Sequence, residues 1–168
     1  MTTFQPIWGD SQSWNIPVGV KRLNQDDQDA ITELLVGRRV AKVDGEHLLL
    51  DDGTVIKAIG HAGGCACGAG DYDLTVLNGV DNIITRVSYD YAPAGDGDDW
   101  ETGPEKSGHP DDPKDKWTGY YRIFVFADHQ QINLMQFEGS DGNGYYGTGF
   151  EILVRPPGAP ENTCEETG

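Results

Sequence analysis

Positive charge is scarce in this chain. Twelve Lys and Arg residues stand against 28 Asp and Glu, a formal net charge of -16. A surface of that sign repels nucleic-acid phosphates and anionic lipid, so direct binding to nucleic acid or to a membrane is disfavoured. Its first consequence is solubility; a basic protein partner is the sharper reading. Cysteine is also short: three residues, an odd number, make no disulfide framework. Cys65 and Cys67 sit too close in sequence for an easy bridge, and Cys164 falls in a polar stretch. There is no run of apolar residues long enough to span a bilayer. The opening "MTTFQPIWGDSQSW" has neither a basic region nor an apolar one, so no secretory signal is expected. Apolar residues make up only 37% of the chain, and the 23 glycines point to many turns. A modest single core with long polar excursions fits 168 residues.

Residues 1–23 carry Trp8, Trp14, Pro6 and Pro17 with no sustained period, and read as an extended N-terminal arm. The stretch "NQDDQDAITELLVG" predicts one short helix. Asn24 or Asp26 would cap it, Ala30, Ile31, Leu34 and Leu35 would form its apolar stripe, and Gly37 would stop it. From Arg38 the period becomes two. "RRVAKV" and "EHLLLD" flank Asp44-Gly45, and "TVIKAI" follows Asp52-Gly53, which predicts a three-stranded meander over 38–59. "YDLTVL" and "NIITRVSY" predict two more strands with a turn at Asn78-Gly79. "GYYRIFVFA" and "QINLMQF" predict a hairpin around Asp128-His129, and "FEILVR" a last strand.

The domain therefore spans 24–155, and 156–168 is a polar tail headed by two prolines. Residues 93–117 interrupt it with four prolines, four glycines and eight acids against three lysines. Such a segment buries too little to offset its ordering entropy, and reads as a surface excursion. The expected fold is mainly β, an antiparallel sandwich or barrel of about eight short strands with one helix. Val40, Leu48, Leu50, Val55, Ile83, Ile123, Val125, Leu134 and Ile152 are the expected core.

The stretch "GHAGGCACGAGD" at 60–71 is the one candidate for metal chemistry. Zinc–sulfur bonds near ~2.3 Å hold two ligating sulfurs within about 4.6 Å of each other. Side chains at i and i+2 of a strand stand roughly 6.6 Å apart. Cys65 and Cys67 could share a zinc ion only if the glycines around them bend the chain, with His61 as third ligand and an Asp or His109 as fourth. A glycine-rich structural corner is the plainer reading, and no cofactor is expected. The same glycines lead into a strand rather than a helix, and the Walker lysine is missing, which argues against a nucleotide cradle. From Asp96, Trp100 and Glu101 fall where a calcium loop needs an oxygen ligand and a glycine. No serine lies in a nucleophile motif. His47, His61, His109 and His129 all sit beside turns, where a solvated imidazole is ordinary. No catalytic residue is assigned.

Aromatic residues cluster as Trp117, Tyr120, Tyr121, Tyr145, Tyr146 and Phe150. Core burial and cross-strand pairing account for most of such a set, and those left outside mark contact surface. Trp8, Trp14, Trp100, Trp117, Tyr145 and Tyr146 are the candidate interaction residues.

The order of "LVGRRVAKVDGEHLLLDDGTVIKAI", "DNIITRV" and "INLMQFEGSDGNGYYGTGFEILV" resembles an uncharacterised domain-of-unknown-function family common in actinobacterial phages, over residues 33–155. The resemblance implies a phage or prophage origin and a compact β-rich domain, and it brings no catalytic residues. The arm, the acidic excursion and the tail lie beyond the family pattern. Together these features suggest a non-enzymatic protein that binds proteins and works as part of an assembly, as an accessory or decoration subunit of the virion. A host-directed factor acting in the host cytoplasm through its acidic surface is the alternative. An enzyme centred on His61, Cys65 and Cys67 is a third.

Overall fold

The computed structural model describes residues 7, 18–60, 72–92, 119–139 and 149–158. Two antiparallel sheets make up the fold, and neither closes into a barrel. In chain order the elements are β1 (Lys21–Asn24), α1 (Gln28–Leu35), β2 (Val40–Asp44), β3 (His47–Leu50), β4 (Val55–Ile59), β5 (Tyr72–Leu77), β6 (Ile84–Ala92), β7 (Gly119–Ala127), β8 (Gln130–Gly139) and β9 (Glu151–Arg155). One sheet runs β1-β9-β4-β3-β2 and the other β5-β8-β7-β6. Among the described residues, no helix is long and apolar enough to cross a membrane.

The expected meander is present as β2, β3 and β4. Gly45 and Gly53, at φ +63° and +96°, occupy the left-handed region that their turns demand. Asp52 closes the second turn. Its Oδ1 accepts the Thr54 N–H at 3.0 Å, and its Oδ2 lies 3.0 Å from Arg38 Nε. Burial alone would raise this carboxyl, but the Thr54 hydrogen bonds and Arg38 outweigh it, and the group lies below the usual carboxylate range. The β7–β8 hairpin also forms where the sequence places it. Asp128 and His129 take φ of 53° and 63°, the paired positive values of a type I′ turn.

Helix α1 begins later than its sequence suggests. Asp27, not Asn24 or Asp26, is the N-cap residue, and its side chain makes no capping bond into the helix. The Asp27 carboxylate instead accepts the Asn24 N–H at 2.9 Å, while Asn24 Oδ1 accepts the Asp26 N–H at 2.8 Å. Those polar groups are spent on the turn before the helix. Ile31 and Leu35 are buried, Leu34 is half-buried, and Ala30 faces solvent, so the stripe is narrower than expected. Gly37, at φ +88°, ends the helix and donates its N–H to the Ile84 carbonyl at 2.8 Å. Tyr89 ties the helix to β6. Its hydroxyl donates to the Gln28 carbonyl at 2.9 Å, which leaves the Thr32 hydroxyl, 2.8 Å away, to donate to Tyr89.

Nine strands form among the described residues, in line with the expected count of about eight; the additional one is Lys21–Asn24, which pairs with β9. Two further expectations need correction. The segments at 72–77 and 84–92 are strands but not neighbours; β5 and β6 are opposite edges of their sheet. Asn78-Gly79 therefore starts a crossing: Asn78 donates to the Leu134 carbonyl at 2.9 Å, and Val80 then bridges to Val40 in the other sheet. Ile83 is 44% exposed, and Ile84 is buried in its place. The local cause is that Ile84 N–H bonds to the Arg38 carbonyl, which sets the strand's face one residue later.

The shared core takes Leu48, Leu50, Ile56, Ala58, Ile152 and Val154 from one sheet and Ile84, Ile123, Val125, Leu134, Met135 and Phe137 from the other. A second, smaller cluster lies on the outer face of the five-stranded sheet, where Ile7 packs on Leu49, Val55 and Leu153. Val55, an expected core residue, belongs to this outer cluster.

The two sheets meet at Gly60, whose carbonyl accepts the Tyr72 N–H at 2.9 Å. A Cβ at Gly60 would collide with the Tyr72 carbonyl, backbone that has nowhere to move cheaply. Gly60→Ala is expected to destabilise the fold by about 3 kcal/mol in urea unfolding; a loss below about 0.5 kcal/mol, typical of an unconstrained surface site, would contradict this close approach.

Candidate functional site

Strand register brings the ends of three long connections to one pole of the sandwich. In the four-stranded sheet Tyr72 and Gly119 both pair with Gly139, and Ala92 pairs with Tyr120. In the five-stranded sheet Ile59 pairs with Glu151. The Gly60–Tyr72 hydrogen bond holds the two rows together. Segments 61–71, 93–118 and 140–148 therefore leave from, and return to, the same rim. These segments carry His61, Cys65 and Cys67, then Trp100 and Trp117, then Tyr145 and Tyr146. All of those residues, with Trp8 and Trp14, lie outside the described residues, as do the 93–117 excursion and residues 159–168 of the tail.

Beneath the rim lies an aromatic floor. Tyr121 has its ring 5.0 Å from Tyr72, 4.9 Å from Tyr91 and 5.8 Å from Phe150, each edge to face. Phe150 stacks on Phe137 at 4.7 Å and 4°. Such pairs exceed simple area burial in stabilisation and hold fixed geometry. Tyr120 points to the other side of β7 yet is fully buried; the Arg122 guanidinium lies 3.7 Å from its ring centroid. Tyr120, Tyr121 and Phe150 are thus framework. Their interior placement agrees with core burial and cross-strand pairing.

The titratable groups with shifted equilibria serve the framework too. Burial first, then the neighbouring Tyr89, Tyr121 and Asp26, push the Tyr91 phenol far up, so it stays neutral at any physiological pH. Burial also raises Tyr89; Asp29 adds to that, and the Thr32 hydrogen bond opposes it. His47 departs most from expectation. It is half-buried, and its Nε2 accepts the Ile7 N–H at 3.0 Å. Nothing in the sequence near His47 signals this, because its partner is 40 residues away. His129 does sit exposed in its turn.

A cleft of about 290 Å³ lies between α1 and the β1–β9 edge, lined by Lys21, Leu23, Ala30, Glu33, Leu34 and Val154. That volume falls just below the usual range for ligand sites, and the lining is mostly apolar, with Lys21, Glu33 and Thr54 as its polar members. Among the described residues, no three His, Cys, Asp or Glu side chains are grouped to hold a metal ion.

The Tyr91 hydroxyl is buried in the floor and finds no hydrogen-bond partner among the described residues. Deleting an unpartnered buried hydroxyl removes a desolvation cost. Tyr91→Phe is therefore expected to leave stability unchanged or raise it by up to about 1 kcal/mol. A clear fall in the thermal midpoint would show that the hydroxyl is bonded.

Against known proteins, the chain matches the family model DUF7448, a domain of unknown function, over residues 33–152. No curated protein and no solved structure matches the chain. The match begins within α1 and ends within β9, so it takes in the helix's last three residues, the meander, the whole four-stranded sheet and the rim. Strand β1 and Ile7 lie outside it. On the strength of a match over most of its length, the chain belongs to the DUF7448 family of domains of unknown function.

Proposed function

We propose that the protein is a non-enzymatic, phage-encoded binding module that engages other proteins through the rim of its sandwich, as an accessory or decoration subunit of the virion. The observation that carries this reading is the common rooting of 61–71, 93–118 and 140–148 at one pole of a regular two-sheet scaffold. Connections fixed at both ends to one rigid edge are where binding residues concentrate in sandwich folds. Four of the six candidate contact aromatics (Trp100, Trp117, Tyr145 and Tyr146) belong to those connections. Tryptophan and tyrosine supply large contact area at low entropic cost, and they are the residues that anchor protein interfaces.

A binding role is also favoured over catalysis by how the shifted groups among the described residues are used. Asp52 closes a turn with Thr54 and Arg38, His47 holds Ile7, and Tyr89 bonds α1. The phage origin rests on the family resemblance. A host-directed factor remains the second reading, favoured by the net charge of -16, which suits a basic site on a host protein.

Quantitative mass spectrometry of purified particles of the phage whose genome encodes the chain tests the proposal. The expected result is this protein at a fixed copy number that matches the particle's symmetry. Its absence from particles, with the chain present in infected cells, would overturn the virion assignment and leave the host-directed reading.

A further inference from the structure

The outer face of the five-stranded sheet holds the N-terminal segment at a single described point. Ile7 is fully buried against Leu49, Val55 and Leu153, with Val20 and Ile59 at the margin of the same cluster. Its backbone N–H donates to Nε2 of His47 at 3.0 Å. An imidazole nitrogen accepts a hydrogen bond only through its lone pair, so this contact requires a ring that carries no proton on Nε2. A protonated ring would present N–H to N–H. We propose that His47 is a pH-sensitive catch that holds Ile7 against the outer face of the five-stranded sheet.

The charged surroundings of His47 decide the direction. On β4, Lys57 stands directly opposite His47 in register, and on β2 Asp44 is its partner on the other side, with Lys42 next along the same face. Glu46 precedes it in the β2–β3 turn. Burial first and then Lys57 disfavour the imidazolium, while Glu46 and the Asp44 backbone favour it; the first two win, and the group titrates below its ordinary 6.5, the direction that the Ile7 N–H aimed at Nε2 also requires. With Ile7 detached, His47 loses part of its burial and returns toward that ordinary value. A depressed value in the fastened state means the detached state binds the proton first. Fastening is therefore complete above about pH 6.5 and weakens as pH falls from there toward the fastened state's own value. On release, the strip formed by Leu49, Val55 and Leu153 loses the Ile7 side chain that covers it.

Amide hydrogen exchange of the full chain, followed by NMR and corrected for the intrinsic pH dependence of exchange, reads the catch at the Ile7 amide. Protection of Ile7 is expected to fall by up to about tenfold per pH unit below pH 6.5, while the Ile123 amide in the other sheet keeps its protection. His47→Gln offers a carbonyl oxygen near the place of Nε2 and cannot titrate, so it should retain Ile7 protection and abolish its pH dependence. His47→Ala should lose protection at every pH. Wild-type protection that stays flat as the solution is acidified, or a pH dependence that survives in His47→Gln, would overturn the catch.

Discussion

A strand buried on both faces must be covered on both, and β9 imposes that requirement on the whole sandwich. All five of its residues, Glu151 to Arg155, are buried. It runs between β1 and β4, so it joins the last described strand to the first and to the end of the meander. Ile152 and Val154 face the shared core; Leu153 faces outward, where Ile7 covers it. Glu151, also outward, is only 7% exposed and is held by Arg22 of β1 at 2.8 Å. Burying such a carboxylate costs more than an exposed ion pair returns, so β1 stabilises the fold mainly by completing the sheet and partnering that charge. Ile7 and β1 are thereby part of the fold's closure, although the family match begins after them.

The same register that seats β9 also organises the rim. Antiparallel pairing of β7 with β8, and of β5 and β6 on either side, sets 72, 92, 119 and 139 in a row. The strands are joined at the other pole by the short Asp128-His129 turn and the crossing through Val80. Length has accumulated on one side only. The aromatic floor of Tyr72, Tyr91, Tyr121, Phe137 and Phe150 gives that side a stiff base, so residues on the connections can vary without loss of the core beneath. In the proposed function, a scaffold of this kind separates the demands of folding from those of recognition.

Much of the scaffold was legible from local patterns. Asp-Gly turns marked the meander, and alternating residues marked β7 and β8, because those elements pair with sequence neighbours. What stayed hidden depends on distant partners. "KRLN" has one apolar residue and becomes a strand only because β9 lies beside it. Ile83 and Ile84 are indistinguishable by composition, and a bond to Arg38 selects between them. His47 resembles any turn histidine until Ile7 is placed on it. Of the candidate site, the sequence supplied the residues and the fold supplied their common rim; His61, Cys65, Cys67 and the aromatic contacts themselves lie outside the described residues.

If the sheets carry folding and the connections carry the proposed recognition, removing one connection should abolish the second and spare the first. β6 and β7 pair as far as Ala92 and Tyr120, so residues 93–118 can be replaced by an Asn-Gly turn that closes the hairpin. The quantity to measure is the variant's copy number in purified particles relative to the full chain, beside its thermal unfolding transition. The account predicts a cooperative transition like that of the full chain and a particle copy number reduced at least about tenfold, the equivalent of a lost anchor of about 1.4 kcal/mol. A variant that assembles as well as the full chain, or that no longer folds, would contradict it.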